Sequence, residues 1–162
     1  MPRVYVSIGS NSNREQNIAL VLGRLKMQFG TLQLSSIYES PATDGRGELY
    51  YNLVAGFDAD MAPSDLREFL RGIEDELGRQ RDGSARVSID LDLLLHGSSR
   101  IDAGSSHLPH PDLNRYRHVL QPLAELAPDL ILPGRGQTVA QRLAELNPPG
   151  ELVKLWSAGY RD

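Results

Sequence analysis

Val87-Ser88-Ile89-Asp90-Leu91-Asp92-Leu93-Leu94-Leu95 alternates apolar and acidic side chains and then runs into consecutive leucines. Period two is the signature of a strand. It turns Ile89, Leu91 and Leu93 toward a core and projects Asp90 and Asp92 together from the other face, roughly 6–7 Å apart at a ~3.3 Å rise per residue. The aliphatic content predicts a central place in a sheet. Toward the N-terminus, Val4, Val6 and Ile8 alternate with Arg3, Tyr5 and Ser7 as a half-buried first strand ended by Gly9-Ser10-Asn11. Ser12 and Glu15 stand at capping-box spacing before a helix carrying Ile18, Val21, Leu22, Leu25 and Phe29, which Gly30 stops. Leu32 to Tyr38 predicts a second strand, Ser40 to Gly47 a loop and Tyr50 to Asp58 a third strand. Pro63 opens a second helix with the stripe Leu66, Leu70, Ile73 and Leu77, and Gly78 lies just past its end. A polar, mobile segment from Gly78 to Ala85 then returns to the quoted strand. The order βαββαβ, followed by helices over His118–Leu126 and Thr138–Leu146 and a break at Pro148-Pro149-Gly150, predicts an α+β sandwich: an antiparallel sheet, helices packed on it and added C-terminal helices.

At 162 residues and 40% hydrophobic content the chain is expected to form a single domain over 1–162. No apolar run approaches the ~18 residues of a membrane span, and Met1-Pro2-Arg3-Val4 lacks the apolar segment of an export signal. The absence of cysteine excludes disulfides, thiolate nucleophiles, iron–sulfur clusters and cysteine-based zinc sites, and suits a reducing cytoplasm. A net charge of −4 argues against binding nucleic acid through bulk electrostatics. Fifteen of the seventeen basic residues are Arg, a planar fork suited to phosphate; the overall count fits genome composition equally, so position must decide.

Position singles out one cluster. Two carboxylates on one strand face repel unless a cation or a proton relieves them, and hard oxygen ligands suit Mg²⁺; a solvated pair on an exposed face is the alternative. Arg79 and Arg81, just past the second helix, and Arg86, four residues before Asp90, add cations on a segment able to close: the combination expected for phosphoryl transfer. Charges complementing the helix C-terminus are the competing reading. His107 and His110 do not have the surroundings of a zinc site, while His110, between Pro109 and Pro111, is held in a stiff segment that suits a nucleotide contact, a plain surface loop being the alternative. Tyr50, Tyr51 and Asn52, beside the loop Ser40-Pro41-Ala42-Thr43-Asp44, offer an aromatic face and an amide for a flat heterocycle, or ordinary strand-edge packing. Gly9-Ser10-Asn11 lacks the phosphate-loop pattern and reads as a strand-to-helix turn.

The ordered set Val6-Ser-Ile-Gly-Ser-Asn11, Ser36-Ile-Tyr-Glu-Ser-Pro41, Tyr50-Tyr-Asn52, Ile73-Glu74, Gly78-Arg-Gln-Arg81, Ile89-Asp-Leu-Asp-Leu-Leu-Leu95, Pro109-His-Pro111 and Leu120-Gln-Pro-Leu-Ala-Glu125 resembles the 6-hydroxymethyl-7,8-dihydropterin pyrophosphokinase family of folate biosynthesis, over about residues 3 to 147. The resemblance implies a ferredoxin-like fold and transfer of the pyrophosphoryl group of ATP to the pterin hydroxymethyl, with release of AMP. It implies that Asp90 and Asp92 hold two Mg²⁺, that Arg79, Arg81, Glu74 and His110 serve ATP, with Arg86 joining the catalytic arginines, and that Ser40, Pro41, Thr43, Tyr50, Asn52 and His118 serve the pterin. The expected partners are ATP and a dihydropterin, with neither nucleic acid nor membrane, in a monomer or weak dimer.

The chain departs from the family pattern in three places. Val87 stands where the resemblance calls for an arginine, three residues before the first metal aspartate, and Arg86 is its nearest substitute. Tyr116 and His118 replace an arginine and a ring-stacking phenylalanine. The loop after Pro41 is shortened and carries Asp44. Two other functions therefore stand beside the first: a divergent paralogue for a related pterin-like substrate, and a non-catalytic nucleotide- or pterin-binding module.

Overall fold

The computed structural model describes residues 1–103, 106–146 and 153–156, with the backbone alone for 103, 106 and 153–156; the break expected at Pro148-Pro149-Gly150 lies outside them. Strand β1 (Arg3–Ser10) leads to helix α1 (Arg14–Phe29), the short strands β2 (Gln33–Leu34) and β3 (Ile37–Ser40), the long strand β4 (Tyr50–Asp58), helix α2 (Pro63–Glu76) and strand β5 (Asp90–His96). After a hairpin of β6 (Ile101–Ala103) and β7 (Ser106–Leu108) come a 3-10 turn (Pro111–Asn114), helix α3 (Arg117–Leu126), a second hairpin of β8 (Ile131–Leu132) and β9 (Gln137–Thr138), helix α4 (Val139–Glu145) and strand β10 (Val153–Trp156). The main sheet is antiparallel, in the order β10-β3-β4-β1-β5, with β2 also paired to β4. The βαββαβ core is thus the ferredoxin-like α+β arrangement, and the hairpins are additions to it.

Two apolar layers hold the sheet. Val4, Val6, Ile8, Leu53, Phe57, Leu91 and Leu93 pack on Ile18, Val21 and Leu25 of α1 and Leu66, Leu70 and Ile73 of α2. On the reverse face Tyr5, Val54, Leu94 and Leu95 meet Val119, Leu120 and Leu123 of α3 and Val139 of α4. This second layer corrects two expectations. β1 is not half-buried, since Tyr5 and Ser7 are also covered. β5 is an edge strand rather than a central one: its aliphatic content follows the burial of both faces, not its lateral place in the sheet.

Two local expectations also change. The segment read as one second strand breaks at the buried Ser35 and Ser36, where the Ser35 hydroxyl accepts the Val54 N–H (2.9 Å) and its own N–H donates to the Val54 carbonyl (3.0 Å). The capping box at Ser12 and Glu15 does not form. Asn13, at φ 45, precedes α1, and the Ser12 carbonyl accepts from the Asn17 side chain (2.8 Å). A capping box does form at Thr138 and Gln141, at the start of α4. Among the described residues no helix is long and apolar enough to cross a membrane.

Candidate active site

Register builds the site. In the antiparallel ladders Gly9 lies opposite both Asn52 and Asp90, and Ser7 opposite Asp92. Directly opposed residues share a face, so Asn52, Asp90 and Asp92 project together, joined by Tyr50 two residues before Asn52. The loop after β3 closes over this end of the face. The result is a cavity of about 290 Å³ lined by Ser40, Pro41, Thr43, Asp44, Tyr50, Asn52, Asp90, Asp92, Asp112, Tyr116 and His118, among others. Gly9 forms its floor: a Cβ there would lie 3.3 Å from Asn52 Oδ1 and 3.6 Å from the Tyr50 ring. The Asn52 amide donates to Ser40 Oγ (2.7 Å), which fixes which end of the carboxamide meets the hydroxyl.

A second cleft, of about 440 Å³, opens on the other side of the acid pair between β5 and α2, where Arg67, Arg71, Glu74, Arg79, Arg81 and His110 meet Asp90 and Asp92. Glu74 organises it. One carboxylate oxygen accepts the Leu91 N–H on the open edge of β5 (2.7 Å) and the other accepts Arg81 Nη2 (2.7 Å). Arg81 also bonds Asp75 (2.6 Å). Arg79 Nη1 donates to the Ile89 carbonyl (3.0 Å) and to Asp90 (3.2 Å). The bulge in β5 contributes as well: Leu94 is skipped in the pairing with β1, and its carbonyl accepts the His110 N–H (3.0 Å), which brings His110 Nε2 to 3.7 Å from Asp92.

Burial, with neighbouring carboxylates next, dominates the electrostatics. Asp92 is pushed up to about 8, first by burial and then by Asp90, Asp112 and Glu74, against a smaller opposing effect of Arg79. Burial and the charge of Asp90 raise the Tyr50 hydroxyl. Burial lowers both His110 and His118 in spite of the nearby acids. His110 Nδ1 accepts the Asp112 N–H (3.1 Å), so the neutral ring carries its proton on Nε2, the nitrogen facing Asp92.

Most of the expected residues meet here. Asp90 and Asp92 stand between the cavity lined by Ser40, Pro41, Thr43, Tyr50, Asn52 and His118, the set expected at the pterin, and the cleft lined by Glu74, Arg79, Arg81 and His110, the set expected at ATP. Arg86 does not join them: its Nε donates to Ser12 Oγ (2.8 Å) and it lines neither cleft. The Gly78–Ala85 segment is tethered rather than free-standing, since Asn11 bonds the Ala85 carbonyl (2.7 Å) and the Val87 N–H (2.6 Å), and Arg46 bonds the Gly83 carbonyl (3.1 Å). His107 pairs with Asp102 (3.5 Å) away from His110. Sequence reasoning missed Ser7, Gly9 and Asp112 in the cavity and Arg67 and Arg71 in the cleft. A signal for the last two was present, because Arg67, Arg71 and Glu74 follow i, i+4, i+7 spacing on one helix face. Tyr116 was legible only as a departure; its ring stacks on His118, with centroids 5.1 Å apart.

The donor set fits a divalent hard cation. Asp90 and Asp92 offer carboxylate oxygens on one face, and Asp92, His110 and Asp112 each bring a ligand atom within 4.8 Å of one another. A carboxyl raised by burial and by its neighbours' charge is one that a bound cation would relieve.

Comparison with known proteins agrees with this geometry. Residues 5–128 match the family model for 7,8-dihydro-6-hydroxymethylpterin-pyrophosphokinase. The chain is 40% identical over 139 residues to the 2-amino-4-hydroxy-6-hydroxymethyldihydropteridine pyrophosphokinase of Pseudomonas aeruginosa, covering 81% of this chain and 84% of that protein. Its identity to the enzyme of the same name from Methylorubrum extorquens is 32% over 158 residues, covering 93% and 97%. To that of Haemophilus influenzae it is 30% over 160 residues, covering 91% and 100%. With its acid pair set between a ring-sized cavity and an arginine-lined cleft, the chain belongs to the 7,8-dihydro-6-hydroxymethylpterin-pyrophosphokinase family.

Proposed function

We propose that this chain transfers the pyrophosphoryl group of ATP to the hydroxymethyl group of 6-hydroxymethyl-7,8-dihydropterin, releasing AMP, as a step of folate biosynthesis. One observation carries the reading: Asp90 and Asp92 form the wall shared by two clefts, one suited to a flat heterocycle and one to a polyphosphate. The hydroxymethyl oxygen bonds to the β-phosphorus as the bond from that phosphorus to the α,β-bridging oxygen breaks. AMP leaves with that oxygen, and the hydroxyl proton is released.

Asp90 and Asp92 would hold Mg²⁺, two ions in the expected arrangement, which when bound supplies charge neutralisation and acidifies a coordinated hydroxyl. Tyr50 and His118 face the ring, and Asn52, oriented by Ser40, reads its edge. Arg79, Arg81 and His110 serve the phosphates, with Arg79 exchanging Asp90 and Arg81 exchanging Asp75 for them. Glu74 holds Arg81 and the β5 edge in register. Positioning and electrostatics then account for the rate. The setting is the cytoplasm.

The test is AMP release from ATP and hydroxymethyldihydropterin with Mg²⁺. Wild-type turnover that disappears in Asp90→Ala and in Asp92→Ala is expected; turnover unchanged in those variants contradicts the assignment. The Tyr116–His118 stack, in place of an arginine and a phenylalanine, favours a second reading, a paralogue for a related pterin-like substrate. Thermal stabilisation by another heterocycle but not by hydroxymethyldihydropterin would select it. Absence of Mg²⁺-dependent ATP binding would select a non-catalytic module.

A further inference from the structure

Arg67 is the outlying charge of the nucleotide cleft. Arg79 and Arg81 are already matched with carboxylates: Arg79 with Asp90 and Glu74, Arg81 with Glu74 and Asp75. Arg67 has no such match among the described residues. Its Nη2 donates to the His107 carbonyl (3.0 Å), and its Nε is buried without a hydrogen-bond partner. Guanidinium stays charged at any ordinary pH, and a buried N–H left unpaired is costly. Burial lowers the Arg67 pKa, Asp92 acts against that fall, and the charge of Arg67 is felt in turn at His110. Arg67 therefore stands beside the residues expected to meet the polyphosphate, on the same stripe of α2 as Arg71 and Glu74.

Val87 occupies the position before Asp90 where the family resemblance calls for an arginine, and Arg86 is turned to Ser12. We infer that Arg67 is a polyphosphate ligand of this chain, supplying from α2, beside Arg79 and Arg81, a positive charge that position 87 does not provide. A planar fork with a free Nε–H suits a phosphate oxygen, and a ligand spanning from Asp92 to Arg67 must carry several negative charges. The inference rests on the pyrophosphokinase reading for the identity of that ligand, ATP.

The experiment is calorimetric titration of the intact chain with α,β-methylene-ATP and with AMP, each with Mg²⁺, for wild type, Arg67→Met and Arg67→Lys. Met retains the apolar stem and Lys the charge without the fork. Loss of a charge-assisted contact predicts that Arg67→Met binds the triphosphate analogue about tenfold or more weakly, AMP affinity staying within about twofold, and that Arg67→Lys falls between. Undiminished analogue binding, or equal losses for analogue and AMP, would overturn the inference. Thermal melts verify folding; if Arg67→Met does not fold, a weakened analogue affinity in folded Arg67→Lys supports the inference and an unchanged one overturns it. The AMP-release assay separates the two readings. Wild-type turnover with undiminished binding by Arg67→Met overturns Arg67 alone, whereas selective loss of analogue affinity without wild-type turnover retains Arg67 and overturns the transfer activity.

Discussion

Asp92 shows at the residue scale how a buried carboxyl crowded by other acids weakens the fold. Its carboxyl titrates near 3.8 when exposed and is pushed up to about 8 in the folded chain. Between those values the native state binds a proton that the unfolded state does not, so stability falls as pH rises from about 4 to about 8 and levels off above. Asp92→Asn removes that titration. Without Mg²⁺ the variant is expected to melt about 3 °C or more above wild type at pH 8–9 and to converge with it near pH 4, while AMP release is lost. Scanning fluorimetry across that range checks this; parallel wild-type and variant profiles would place the strain elsewhere. The same contest explains why the acid pair was legible in the sequence. Period-two alternation puts two acids on one face whatever lies around them, and apolar packing of Ile89, Leu91 and Leu93 holds that orientation.

Among the elements, Glu125 ties α3 to the sheet. Glu125 accepts the Ser36 N–H (2.9 Å), the Ser36 hydroxyl (2.7 Å) and the Tyr38 hydroxyl (2.9 Å), which are on or just before β3. Ser36 is fully buried, so removing the carboxylate deprives its N–H and hydroxyl of their acceptor. Glu125→Ala is expected to cost about 1–3 kcal/mol in urea unfolding, and Glu125→Gln, which keeps an acceptor, less. A cost no larger than for an exposed surface substitution would show that water replaces the carboxylate. The loops obey the same logic of close approach. Gly47 has φ 81, and a Cβ there would come within 2.7 Å of the Ala85 carbonyl, so the loop after β3 and the loop after α2 touch where only glycine fits. The breaks in period explain what was misread. Ser35 and Ser36 interrupt β2 and β3 by bonding elsewhere, Ser35 to Val54 of β4, 19 residues away, and Ser36 to Glu125 of α3, contacts that no local pattern announces.

Across the entire fold, the sheet is buried on both faces, and the site lies at one end of the face that α3 and α4 cover. Leu66 on one side and Leu120 on the other have no exposed surface. Truncating either to Ala is expected to cost about 2–5 kcal/mol and to leave a single cooperative unfolding transition, because both layers grip the same strands. Chemical denaturation followed by circular dichroism checks this. A biphasic curve for Leu120→Ala alone would make the C-terminal helices a separately melting layer.

Hydrophobic periodicity specified the order βαββαβ, the faces of the helices and the pairing of Asp90 with Asp92, because these follow from backbone geometry repeated over neighbouring residues. Motif order added the family. Long-range register had to place Gly9 between Asn52 and Asp90, and only packing could turn Arg86 toward Ser12 while bringing Arg67 into the cleft between α2 and β5. A loop residue has no period to declare its direction. A helix residue declares its face but not what that face meets, and that depends on how α2 seats against β5.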